Sequence, residues 1–394
     1  MKYTRSSFRR FAAVVIGIVF MISGLLKLAD PVGTMLVVQE YLKFFHITFL
    51  MDASKFLGIA LSFTETVTGL ALLTGVFREF FAAITFLMLG FFTIITLILW
   101  FANPNMDCGC FGAAAQLSHS QSFLKNIVLL LLSVAAFLPF KEFGQARKRR
   151  SVAAFLGFLA ICYAVWYSNT HVPIVDFTEF NFGSELQASL EDELARDNHY
   201  RTVYIYEKDG QSGTFHQENL PDSTWTFVRE EVIFQEGAIT VEKYPQLSFR
   251  SQEGDYPERM AAEGPVVVFS VYEPEKADWA RLEEQYRQVE QTGVLPLLLV
   301  SANPDDVDQL GIPVGLVPYF ADFRTLITLN RFNGGGTYFY EGELIDKWSP
   351  GYFPKDLEKE FTKDPLDLST SKIMKRRIGA QGFILYLAAL LILL

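Results

Sequence analysis

Five apolar stretches, at roughly residues 11–28, 56–77, 80–102, 122–140 and 152–168, dominate the first part of this 394-residue chain. Each is close to the about 20 residues that a helix needs to cross the hydrocarbon core of a bilayer. Lipid offers no water to backbone N–H and C=O groups, so such segments cross as helices. The first stretch follows Arg5, Arg9 and Arg10, as the core of a signal peptide would, but ends in Leu25-Leu26-Lys27-Leu28-Ala29-Asp30 without a small-x-small cleavage site. It is therefore read as a retained helix. A sixth run at 378–394 is shorter and is expected to be a crossing or near-crossing anchor, after a basic linker that holds Lys372, Lys375, Arg376 and Arg377.

Charge divides the chain. Residues 1–168 carry 14 Lys and Arg against 7 Asp and Glu, whereas residues 169–394 carry 20 against 37. This points to a basic membrane part joined to an acidic appendage. An acidic soluble part would be repelled by phosphates, which argues against nucleic acid as a partner and leaves the lipid bilayer as the first one. Short basic segments stay cytoplasmic. Lys2, Arg5, Arg9 and Arg10 at the N-terminus, and Lys141 with Arg147-Lys148-Arg149-Arg150 between helices four and five, accordingly predict a cytoplasmic N-terminus. The loops at 29–55 and 103–121 and residues about 169–377 are then extracytoplasmic, which suits a bacterial cytoplasmic (inner) membrane protein.

Two charges stand inside the spans. Glu65 is near the middle of helix two and Lys27 near the outer end of helix one. An intramembrane carboxylate normally faces the bundle interior, a partner or a water-filled cavity. Glu65 is thus a candidate proton relay or polar ligand site, or else a protonated group bonded to neighbouring Ser and Thr. Lys27 is expected to snorkel to the headgroups. Gly58, Ser62 and Thr66 repeat every four residues and give helix two a small-residue packing face.

The loop after helix three reads Asn103-Pro104-Asn105-Met106-Asp107-Cys108-Gly109-Cys110-Phe111-Gly112. Two of the three cysteines stand one residue apart, on the face where disulfides are permitted. Cys162, inside helix five, reads as a packing residue. A Cys-x-Cys disulfide closes a small strained ring that is easily reduced, and Gly109 helps the backbone make the turn. Three readings stay open. Cys108 and Cys110 are a redox-active pair, or they bind a thiophilic metal together with Asp107 or His119, or they form a static disulfide. The metal reading lacks a second Cys/His pair to complete the site.

Residues 1–140 resemble the membrane domain of the DoxX superfamily, in particular its methylamine-utilisation (MauE) branch. Ser23-Gly24-Leu25-Leu26-Lys27-Leu28-Ala29-Asp30-Pro31, Glu65 with Gly69 and Leu72-Leu73, Cys108-Gly109-Cys110-Phe111-Gly112, and Ser122-Phe123-Leu124-Lys125-Asn126 carry the resemblance. It implies a four-helix bundle, here extended by a fifth helix across 141–168. The branch is associated with maturation of the disulfide-rich small subunit of methylamine dehydrogenase, which implies extracytoplasmic thiol oxidation. Quinone-linked disulfide oxidases supply an analogy for the electron acceptor, although no cofactor motif is evident.

Residues 169–260 read as a connector or subdomain. It holds a polar helix at 184–198 and short strands at 201–207, 224–229 and 231–235. Residues 261–365 read as an α/β domain with a mixed sheet. Its strands are 266–270, 297–300, one near 317–321 and the hairpin 337–340/344–348. Its helices are 275–292, 304–310 capped by Asn303, one near 323–332, and 354–362. This order resembles the thioredoxin fold of membrane-tethered TlpA-type proteins. The resemblance departs at the chemistry. Val271-Tyr272-Glu273-Pro274-Glu275-Lys276 occupies the Cys-x-x-Cys position, and Asn333-Gly334-Gly335-Gly336-Thr337 stands where the family's cis-proline belongs. The domain contains no cysteine, so docking is its expected role. His171, His199 and His216 read as surface residues, and Glu191-Asp192-Glu193 as a solvated face. The whole arrangement resembles two-part membrane proteins of Bacteroidetes, a group that brings no established activity.

The resulting expectation is a membrane accessory of extracytoplasmic thiol-disulfide metabolism or protein maturation. Cys108 and Cys110 would exchange with a thiol-bearing protein partner, and Glu65 would assist proton movement. Its rival is a non-enzymatic scaffold with a static disulfide and a partner-docking acidic domain.

Overall fold

A computed structural model describes residues 2–104, 106, 108–113, 117–138, 148–173, 176–186, 200–208, 211–216, 219–222, 224–234 and 245–392. The chain forms two compact units, Met1–Thr178 with Ser371–Leu394, and Glu179–Thr370.

The first unit is helical. Its elements are α1 (Lys2–Ala29), α2 (Pro31–Phe44), α3 (Ser54–Thr74), α4 (Arg78–Ala102), the short strand β1 (Cys110–Ala113), α5 (His119–Phe137) and α6 (Lys148–Thr170). Five helices among the described residues are long and apolar enough to span a bilayer: Phe8–Ala29 within α1, then α3, α4, α5 and α6. Their apolar side chains face outward as well as inward. Leu87, Ile94, Leu131 and Phe155 are all exposed, as lipid-facing positions require.

Helices α1 and α3 approach closely because small residues line both. A Cβ on Gly69 would lie 2.6 Å from the Met21 nitrogen and 2.7 Å from the Gly17 carbonyl oxygen, and one on Gly24 would strike Thr66. The expected Gly58-Ser62-Thr66 face is thus the face that receives α1 and, at Gly58, Thr34 of α2. Cys162 is half-buried in α6.

The segment 29–55 is not a simple loop, for it contains α2. Asp30 caps this helix by accepting from the Gly33 N–H at 2.8 Å, and Pro31 occupies its first turn, where the missing N–H costs nothing.

The C-terminal residues form one helix that begins at Pro365 and continues to Ile392, numbered α10 below. The cluster expected in a linker, Lys372, Lys375, Arg376 and Arg377, lies inside it, and α10 is not among the span-length apolar helices. Arg376 donates to the Pro173 carbonyl at 2.8 Å, and the Tyr386 hydroxyl to the Leu156 carbonyl of α6 at 3.3 Å.

The second unit holds two sheets. In the smaller, β2 (Tyr200–Lys208) lies between β3 (Gln211–His216) and β4 (Thr226–Phe234), all antiparallel. The two short runs expected at 224–229 and 231–235 are therefore one continuous strand, and the polar β3 is an additional one. Of the polar helix expected at 184–198, residues 187–198 lie outside the described part. Residues 184–186 are not helical but extended, with Glu185 bridging to Glu343. Glu191-Asp192-Glu193 and His199 also lie outside. His171 is not simply a surface residue, since its ring stacks on Tyr167 at 4.5 Å.

The larger sheet has the order β7-β6-β5-β8-β9, built from β5 (Pro265–Val271), β6 (Leu295–Val300), β7 (Pro318–Phe320), β8 (Gly335–Tyr340) and β9 (Glu343–Trp348). Strands β5, β6 and β7 are parallel, and β8 and β9 antiparallel. Helix α7 (Trp279–Gln291) buries Leu282, Tyr286 and Val289 against Val267, Phe269 and Leu298. Helices α8 (Phe323–Leu329) and α9 (Leu357–Phe361) complete the layers. Asn303 stands before the short 3₁₀ turn 304–309, but its side chain makes no capping bond. Both edges of this sheet are covered, one by the Arg250–Phe320 bridge and the other by Ser184–Leu186. Covering an edge removes its unpaired backbone groups from other chains.

Candidate functional site

The Cys108–Cys110 loop is held from several sides at one end of the bundle. The Tyr41 hydroxyl of α2 donates to the Cys108 carbonyl at 2.7 Å, and the Ser23 hydroxyl of α1 donates to the Cys110 carbonyl at 2.6 Å. Between them Gly109 has φ +57°, and a Cβ there would collide with Val37 of α2. Only glycine enters this conformation without strain, so the residue between the cysteines is fixed by geometry. Gly112, at φ +61°, closes the turn by donating its N–H to the Gly109 carbonyl at 3.2 Å. The Lys125 ammonium of α5 sits over the Phe111 ring at 4.8 Å. Burial pushes the Tyr41 phenol well above the ordinary tyrosine value, with Cys108 and Cys110 adding to the effect, so it remains a hydrogen-bond donor.

Cys108 and Cys110 are both thiols in the structure. Cys108 is 5% exposed, while Cys110 is more open. The Cys108 Sγ lies 2.8 Å from His119 Nδ1, and His119 Nε2 lies 3.0 Å from the Pro104 carbonyl oxygen. A carbonyl can only accept, so Nε2 carries a proton and Nδ1 shares a second one with the Cys108 sulfur. His119 is placed by the start of α5, where Ser118 and Gln121 form a reciprocal capping box. Beside it opens a cleft of about 380 Å³ lined by Trp100, Asn103, Met106, Leu117 and Ser120.

A sulfur and a nitrogen sharing one zinc ion stand about 3.5 Å apart, given bonds near 2.3 and 2.0 Å. The 2.8 Å contact is instead a hydrogen bond. Among the described residues no three His, Cys, Asp or Glu side chains gather as a metal site requires. Asp107, the other ligand weighed for a metal, lies outside the described residues.

Glu65 points into the bundle, 4% exposed, and forms an ion pair with Lys27, Nζ to Oε2 2.7 Å. Lys27 does not snorkel to the headgroups but turns inward, and Glu65 faces the bundle interior, as expected of an intramembrane carboxylate, with an ammonium group as its partner. The Lys27 ammonium also sits 5.6 Å from the Phe92 ring centroid. The pair adjoins the cysteine loop, since the Lys27 backbone packs under Gly112 and Ser23 lies one helical turn earlier. Further along the interior, Asn126 donates to Thr96 at 3.2 Å, and the fully buried Ser122 hydroxyl has no hydrogen-bond partner among the described residues.

In the second unit, the loop that follows β5 is latched by Asn333. Its Oδ1 accepts from the Tyr272 and Glu273 N–H groups at 2.9 and 3.0 Å, and its Nδ2 donates to the Glu273 carbonyl at 2.8 Å.

Sequence reading alone places Cys108, Cys110 and Glu65 in the site, and the structure brings all three to neighbouring positions. It misses Tyr41 and Ser23, assigns Lys27 to the headgroups, and joins His119 to the cysteines only through a metal, whereas the ring meets the Cys108 sulfur directly. The signal for Tyr41 was Asp30-Pro31, a helix start that brings α2 to the loop.

Residues 5–139 match the sequence model of the family described as methylamine utilisation protein MauE. The match spans α1 to the end of α5 and includes Cys108, Cys110, Glu65, Lys27 and His119. The chain is thus a multi-pass membrane protein with a MauE-like bundle. Residues 200–235, which form β2, β3 and β4, match a domain of unknown function (DUF8463). No curated protein and no solved structure matches the chain.

Proposed function

We propose that this protein is a membrane accessory of extracytoplasmic protein maturation, in which Cys108 and Cys110 exchange disulfides with a thiol-bearing protein partner. The observation that carries this reading is the fixing of both cysteine carbonyls by bundle hydroxyls, Tyr41 on Cys108 and Ser23 on Cys110. Catalytic thiols need such preorganised backbone, whereas a bond closing so short a loop constrains little of the unfolded chain and stabilises little. Lys2, Arg5, Arg9 and Arg10, with the 147–150 cluster, favour a cytoplasmic N-terminus in a bacterial inner membrane, an orientation in which the loop faces the oxidising side.

The Lys27–Glu65 pair supplies titratable groups inside the bundle next to this loop, and Glu65 assists proton movement there. Renewal of the disulfide needs a two-electron acceptor, and a membrane quinone is the class at hand in lipid. The orphaned Ser122 hydroxyl, with Asn126 on the same face of α5, fits a quinone carbonyl as a donor. The strand order β6-β5-β8-β9 supports a thioredoxin-like reading of the second unit, which serves in docking because it contains no cysteine.

Trapping thiols in living cells tests the proposal. Cys108 and Cys110 should shift between oxidised and reduced forms as respiration is altered, and Cys→Ser variants should leave partner thiols reduced. A pair that stays oxidised under all conditions, with Cys→Ser variants fully functional, would support the scaffold reading instead.

A further inference from the structure

We infer that the two sulfurs have separate roles, set by His119: a partner thiolate attacks Cys110, and Cys108 is the leaving thiolate that the imidazole receives. This inference rests on the disulfide-exchange reading above and deepens it. Two observations carry it independently. Cys110 is the more open sulfur and Cys108 is 5% exposed, so attack comes at Cys110. Cys108 alone has an imidazole nitrogen 2.8 Å from its Sγ, and the Pro104 carbonyl holds that ring in place through Nε2.

The step balances without any further reagent. The partner thiolate forms a bond to Cys110 Sγ while the Cys108–Cys110 bond breaks, and its electron pair goes to Cys108. The proton that the partner thiol gives up on becoming a thiolate is taken up at His119 Nδ1, and from there it stabilises the new Cys108 thiolate. A second partner thiolate then attacks the partner sulfur of the mixed disulfide and releases Cys110 as a thiolate. The partner dithiol is oxidised by two electrons and the Cys108–Cys110 disulfide is reduced by two. A leaving thiolate of lowered basicity departs faster, and a stabilised reduced form makes the disulfide a stronger oxidant. His119 therefore drives exchange toward partner oxidation. The cleft beside His119, walled by Trp100, Met106 and Leu117, gives room for an apolar side chain of a peptide substrate.

The test uses the full-length protein in lipid nanodiscs, oxidised with diamide and then challenged briefly with glutathione, whose first attack leaves a mixed disulfide that an early quench traps before a second glutathione can resolve it. After acid quenching and alkylation, fragment-ion mass spectrometry locates the glutathione. The expected result is an adduct on Cys110 over Cys108 by roughly tenfold or more. In His119→Gln, adduct formation slows at pH 6 by about tenfold and recovers toward wild type at pH 9, where an ordinary thiolate of pKa about 8.5 leaves unaided. An adduct mainly on Cys108, or a His119→Gln effect of equal size at both pH values, overturns the inference and leaves the exchange reading standing. Failure of Cys108 and Cys110 to form a disulfide at all overturns both. Locating the adduct in the wild-type protein needs no variant, so misfolding of His119→Gln cannot mask the answer.

Discussion

Lys27 Nζ lies 2.7 Å from Glu65 Oε2, an ion pair that joins α1 to α3 inside an apolar bundle. Both side chains are at least nine-tenths buried, so each charge is tolerated only because the other is present. Removing one partner strands the other and costs about 3–5 kcal/mol, while replacing both with neutral groups costs less. Glu65→Gln and Lys27→Met should each lower the melting temperature of the detergent-solubilised protein, and the double variant should melt above either. A double variant that melts at the sum of the two losses would mean that the residues do not act as a pair.

How far this site can be read from sequence depends on how local each signal is. The membrane spans show in the apolar runs themselves, because length and hydropathy are properties of consecutive residues. Glu65 and Lys27 are each conspicuous as charges in lipid, yet 38 positions separate them, and only the α1–α3 packing through Gly17, Gly24 and Gly69 makes them a pair. His119 stands out in the sequence only as a candidate ligand beside the cysteines, because the direct contact of its ring with the Cys108 sulfur, across 11 positions, is a matter of tertiary packing. Helix α2 is marked by Asp30-Pro31, but a segment between two stronger apolar runs reads as their connection. Strand β3, Gln211–His216, lacks apolar alternation and is defined by its pairing with β2 rather than by its composition.

The glycine between the cysteines sets up a second prediction. At φ +57°, a non-glycine residue costs about 1–2 kcal/mol in backbone strain, and the added Cβ also meets Val37. Gly109→Ala should therefore displace the loop from α2 and unseat Cys108. Maleimide labelling of reduced Cys108, followed in a Cys110→Ser background, should accelerate. Adding Val37→Ala should restore part of the protection by removing the clash while the backbone strain remains.

Tyr41 makes the same loop testable without altering the backbone. Tyr41→Phe deletes the donor to the Cys108 carbonyl and costs about 1 kcal/mol. Labelling of Cys108 should again accelerate, by roughly fivefold for that energy. Ser23→Ala should have its effect on Cys110, whose carbonyl it holds. Equal effects of both variants on both cysteines would mean that the loop moves as one body.

In the second unit, Asn333 holds the loop after β5 with a hydrogen-bonded latch. Asn333→Ala leaves the Tyr272 and Glu273 N–H groups and the Glu273 carbonyl without that side chain, a loss of about 1–3 kcal/mol. Amide hydrogen exchange over residues 272–276 should quicken in Asn333→Ala, while the β5 core strand stays protected. Asn333→Asp keeps the two acceptor bonds through its carboxylate and should exchange at an intermediate rate.

The last prediction concerns alkaline pH. Burial, reinforced by Tyr340 and Glu360, pushes the Tyr338 phenol up to about 12, and burial raises Tyr272 as well. In the unfolded chain both ionise near pH 10. Because the folded values are raised, the stability these phenols contribute is fully present below about pH 10 and is lost as pH rises toward the folded values. Between pH 10 and 12 the unfolded state sheds the Tyr338 proton and the folded state keeps it, at a cost of up to about 1.4 kcal/mol per pH unit. Denaturant unfolding of the full-length protein, followed by tryptophan fluorescence, should show stability falling across that window. Tyr338→Phe has no phenol to ionise and should flatten the slope, even if burial of the new ring changes the stability at neutral pH. An unchanged slope in that variant would assign the alkaline loss to other groups.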